Sequence, residues 1–89
     1  MSNPCDPQVF SGVSSAQFDC LVREAAAQNI AINGNQGTTV ISHGPVHAEI
    51  SWNFDRVSQT LTLQYLNPGL LAGCDKVDGM LKQLVASCQ

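Results

Sequence analysis

The residues of this chain best suited to chemistry are four cysteines, Cys5, Cys20, Cys74 and Cys88, and two histidines, His43 and His47. No two cysteines stand in a Cys-x-x-Cys pair, so a zinc ribbon, a zinc finger and a thioredoxin-type redox site all lack their defining spacing. Cys74 and Cys88 lie 14 residues apart on one expected helix, about 21 Å at the helical rise and too far for a disulfide between them. The residues Met1 to Pro7 show neither the basic nor the apolar stretch of an export signal. The expectation is therefore a cytoplasmic chain with reduced, partly buried thiols. Oxidised cysteines would make it a secreted or periplasmic, disulfide-stapled domain instead.

His47 and Glu49 alternate onto one face of an expected strand, and with His43 they form a conceivable metal-ligand set. Gly44-Pro45 interrupts its geometry. Hydrolase, phosphate-loop and metalloprotease motifs are all missing. The glycine-rich run Asn33-Gly34-Asn35-Gln36-Gly37 leads from a helix to a strand, so its amides do not open a helix onto an anion. No catalytic residue and no cofactor is expected, and a non-enzymatic domain is the favoured reading.

Those residues depend on elements that the sequence marks with unequal sharpness. Residues 1–13 form an N-terminal arm whose Val9, Phe10 and Val13 are expected to lie on the body, and residues 14–89 form a single domain. Ser14 and Gln17 make a capping box, and Phe18, Leu21, Val22 and Ala25 give the apolar stripe of a helix that ends near Asn29. The run 33–37 suggests a turn, and Thr38–Ser42 a strand. From Val46 to Phe54 the alternation is complete, with Val46, Ala48, Ile50, Trp52 and Phe54 on the face to be buried. Thr60–Tyr65 alternates likewise across a hairpin loop, and Val77, Met80, Leu81, Leu84 and Val85 mark a second helix starting at 73–75.

The expected fold is α+β, two-layered: a three-stranded antiparallel sheet with two helices packed on one face, in the order α-β-β-β-α. Ile30–Ile32 is a possible fourth strand. Strand parity then governs the cysteines. Three strands between the helices make the helices parallel and leave Cys88 alone, whereas four bring Cys88 back toward Cys5 or Cys20. The order resembles that of double-stranded RNA-binding domains, which need a basic cluster at the start of the second helix. Here Gly73–Asp78 carries one lysine between two aspartates, so the resemblance carries no RNA-binding expectation.

Composition narrows the partners. Of the 89 residues, 44% are hydrophobic and 12% charged, and the net charge is −3. Such a chain folds, but it offers no positive field to nucleic acid or to an anionic membrane, so neither is an expected partner. What remains after the core is assigned is a polar sheet face: His47, Glu49, Ser51, Asn53, Thr60, Thr62 and Gln64. A small binding or interaction domain that contacts a protein partner through this face, or a second copy through a free sheet edge, is the leading expectation.

Overall fold

The computed structural model describes residues 4–43, 45–68 and 73–88, with the side chains of all of these but 43 and 46. The elements are β1 (Gln8–Phe10), α1 (Ser15–Ala27), β2 (Gln36–His43), β3 (Val46–Asp55), β4 (Thr60–Tyr65) and α2 (Cys74–Ala86). The four strands form one antiparallel sheet in the order β1-β4-β3-β2. The α+β class and the two helices stand as the sequence suggests, with one strand added.

That strand is not where the sequence offered it. Ile30–Ile32 makes no ladder, and the fourth strand is β1, from the arm, which pairs Gln8–Phe10 with Leu61–Leu63 of β4. Two further bonds seat the arm: Cys5 N–H donates to the Tyr65 carbonyl and Val13 N–H to that of Gln59, both at 2.9 Å. The turn expected at 33–37 is shorter than it looked, because Gln36 and Gly37 already belong to β2.

The buried side of the sheet is the alternating set of the hairpin. Ala48, Ile50, Trp52 and Phe54 of β3 and Leu61, Leu63 and Tyr65 of β4 are all buried, as are Phe18, Leu21 and Ala25 of α1 and Val77, Leu81 and Val85 of α2. Both stripes recur every three to four residues, so each helix turns one face to the sheet. Trp52 is 6% exposed. It stands opposite Gly37 in the ladder, and a Cβ on that glycine would come within 2.8 Å of the indole ring. The indole N–H donates to the Gly34 carbonyl at 3.3 Å, which supplies the polar partner a buried tryptophan needs.

The helices run antiparallel. α1 begins beside Val13, at the Gln59 end of the sheet. α2 begins at Cys74, which is bonded to Cys5 at the Tyr65 end, and Val85 and Cys88 meet Val13, Gln17, Leu21 and Leu61 at the opposite end. Among the described residues only three strands, β2, β3 and β4, lie between the helices, so strand parity alone predicted the wrong orientation. The physical reason lies in residues 28–34, which return along the sheet without pairing into its ladder. Ile30 is buried in the core, and by Asn35 the chain is back beside Phe54, whose N–H donates to the Asn35 carbonyl at 2.6 Å. This unpaired crossing does what a fourth intervening strand would have done.

The cysteines follow. They are not reduced thiols: Cys5 pairs with Cys74 and Cys20 with Cys88, with Cα–Cα separations of 5.7 and 5.8 Å, and no cysteine is free. Cys88 is not left alone, because antiparallel helices carry the end of α2 to the middle of α1.

Candidate functional site

The outer face of the sheet is built by the register. Three β3–β4 pairs, Ser51 with Gln64, Asn53 with Thr62 and Asp55 with Thr60, place the polar residues side by side. β2 adds Thr38 beside Ser51 and Gln36 beside Asn53, and β1 adds Val9 beside Thr62. The result is a shallow open trough lined by Pro7, Gln36, Thr38, Ser51, Asn53, Thr62 and Gln64. Gly37 and Trp52 also line it, so neutral amides and hydroxyls are set in a largely apolar surface, and among the described residues no charged side chain lines it. Gln64 is anchored rather than free, since its amide donates to the Cys5 carbonyl at 2.8 Å.

The seven residues singled out by sequence do not form one cluster. Ser51, Asn53, Thr62 and Gln64 share the trough. His47 and Glu49 lie farther along β3. The His47 ring nitrogen Nδ1 is 3.1 Å from the Ser42 hydroxyl of the neighbouring strand, and the Glu49 backbone is fastened to Asn67 and Leu66. Thr60, the first residue of β4, lies at the hairpin loop, where its hydroxyl accepts from that of Ser58 at 3.0 Å. Among the described residues no three His, Cys, Asp or Glu side chains gather where they could hold a metal ion. The third member of the conceived ligand set, the His43 side chain, lies outside the described residues.

Sequence reading missed Gln36, Thr38 and Val9 as members of this face. The signal for β2 is weak because Thr38 to Ile41 is β-branched throughout, so the two-residue period is blurred. For Val9 the missing step was recognising a three-residue strand at all.

The loop between β3 and β4 carries a cluster of charge-assisted contacts. The Asp55 carboxylate accepts from the backbone N–H groups of Val57 and Ser58 at 2.9 and 3.3 Å. Those bonds hold its pKa below the usual aspartate value, Ser58 contributing most and Val57 next. The turn so fixed carries Arg56 over the Phe18 and Phe54 rings, 5.7 and 5.4 Å from their centroids. Arg56 also donates to the Asn35 side chain at 3.0 Å and comes within 4.0 Å of Asp19.

A half-open apolar cavity of about 310 Å³ lies between the helices, floored by Ile30, Ile41, Met80, Leu81 and Leu84. Among the described residues Glu24 is the only ionisable side chain on its rim. Among the described residues no helix is long and apolar enough to cross a membrane. No family model, no curated protein and no solved structure matches this chain.

Proposed function

We propose that this chain is a non-enzymatic binding domain, stapled by disulfides for an oxidising compartment, that contacts a protein partner through the uncharged trough on the outer face of its sheet. The observation that carries this reading is that all four cysteines are paired. Disulfides persist in secreted and periplasmic proteins and are rare where glutathione and thioredoxin keep thiols reduced. A small domain buries a limited share of its surface and gains most from such staples. The trough supports the contact role, since neutral hydroxyls and amides on a rigid sheet bond to a partner without the desolvation cost of charges. Self-association through an open sheet edge is a second contact mode for the same domain.

The test is alkylation of the natively produced protein under denaturing conditions before any reductant is added. The expected product carries no label and gains four hydrogens on reduction, two per disulfide. Labelling of all four cysteines would remove the oxidising compartment. The trough is tested separately by Asn53→Arg, which should abolish crosslinks to a partner in the native compartment while the fold stays intact.

A further inference from the structure

The sheet has two edges of different character. β1 is three residues long and follows Pro7, a short edge with little to pair. β2 is eight residues long, Gln36–His43, and contains no proline, lysine, arginine, aspartate or glutamate. Natural edge strands ordinarily carry such devices against pairing.

Its free groups can be assigned one by one. Asn35 and Phe54 continue the β2–β3 register one step beyond Gln36 with Asn53, and Phe54 N–H donates to the Asn35 carbonyl. In an antiparallel ladder bonded and non-bonded pairs alternate. Gly37, Thr39, Ile41 and His43 therefore exchange bonds with β3, and the N–H and C=O groups of Gln36, Thr38, Val40 and Ser42 point away from the sheet. Among the described residues none of these eight groups has a hydrogen-bond partner.

We propose that β2 pairs antiparallel with β2 of a second copy of this chain, with Thr39 on the two-fold axis. This deepens the self-association mode above; Gln36 and Thr38 also line the trough, but the pairing uses their backbone groups and not their side chains. The register follows from two conditions. Side chains that face each other must lie on the same side of the sheet, and all four outward residues must find a partner. Both hold when Gln36 faces Ser42 of the second copy and Thr38 faces its Val40, which forms about eight backbone bonds. Val40, which is 52% exposed, is then covered by β-branched neighbours. Charge permits the match although the chain is acidic. The nearest carboxylate on that face, Glu49, is one strand inward, so it and its counterpart stand about 14 Å apart across three strand spacings, beyond a Debye length of about 8 Å.

Sedimentation of the oxidised, full-length chain at high micromolar concentration should give twice the 9.5 kDa monomer mass. Val40→Pro removes an outward N–H and leaves the ladder to β3 untouched, so it should sediment as a folded monomer. If that variant does not fold, Val40→Lys, a change at an exposed side chain, should weaken association by at least about tenfold. Thr39→Cys should give a covalent dimer through position 39, since unbonded antiparallel partners lie within disulfide range. Ser42→Cys should not, its counterpart being about 20 Å away along the strand. A monomeric wild type, a proline variant that still dimerises, or crosslinking at 42 in preference to 39 would each overturn the proposal.

Discussion

The two helices have the same length, 13 residues, and are held in opposite ways. α1 is held by its own sequence. Ser14 accepts from the Gln17 N–H and the Gln17 side chain accepts from the Ser14 N–H, at 3.1 and 2.8 Å. Phe18 stacks on Phe54 with centroids 4.3 Å apart, under the Arg56 guanidinium. α2 starts at Gly73 with no side-chain cap, and it is fixed at each end by a disulfide, to the arm through Cys74 and to α1 through Cys88. Covalent bonds stand where α1 has caps and ring contacts. Both helices bury three side chains in the core and share the Cys20–Cys88 bond, so the lesson is that in a core of this size the staples add most where α2 lacks a cap of its own.

The largest break in this contrast is reduction. The disulfides span 69 and 68 residues, and closing loops of that length stabilises by about 4 kcal/mol each in the chain-entropy view, less for the second because the loops overlap. Reduced protein should lose at least that much in urea unfolding, a large share of a small domain's stability. An unchanged midpoint would mean that α2 is held by its apolar face alone. The counterpart for α1 is Phe18→Ala, which removes a buried ring from the stack. It should lower stability by about 3 kcal/mol, and it should do so equally in oxidised and reduced protein if packing, not covalency, secures α1.

These two modes of attachment were unequally legible in the sequence. The capping box Ser14/Gln17, the buried face of β3 and the limits of β4 follow from local rules, because each rests on residues within a few positions of one another. The disulfide pairs rest on residues far apart in sequence and depend on helix direction, which the unpaired return 28–34 reversed. An extended segment that crosses the sheet without joining it leaves no period of two to detect. The polar face was legible for β3 and β4, where polar and apolar residues alternate. It was illegible for β2 and β1, where Thr38 to Ile41 does not alternate and three residues are too few for a pattern.

The cap asymmetry predicts effects of opposite sign. Ser14→Ala deletes the acceptor that α1 relies on and should destabilise by about 1 kcal/mol. Gly73 is the N-cap of α2, with φ −83° and ψ 176°, an extended conformation any residue adopts. Gly73→Ser should therefore raise stability by a few tenths of a kcal/mol. Thermal unfolding of both variants checks the pair. If Gly73→Ser has no effect on oxidised protein but stabilises reduced protein, the staple already does the work of the cap.

The smallest expected effect concerns acid, and it falls on the α1 side. The folded-state pKa of Asp55 is lowered by the Ser58 and Val57 N–H groups. A depressed carboxyl contributes stability that is present above its unfolded pKa of about 3.9 and is lost as pH falls through the folded value. The group is fully exposed, so solvent screens the contribution and the loss is small. The turn it closes carries Arg56 against Phe18 of α1, whereas the described ends of α2 rest on disulfides that do not titrate. Protection against hydrogen exchange, measured relative to the intrinsic rate at each pH between pH 5 and about pH 3, should therefore fall first at Val57 and Ser58 and next in the first turn of α1, with α2 unchanged. Asp55→Asn should flatten that response. An acid response that begins in α2 would show that the covalently held helix is also held by charge, and the contrast between the two helices would lose its simplest form.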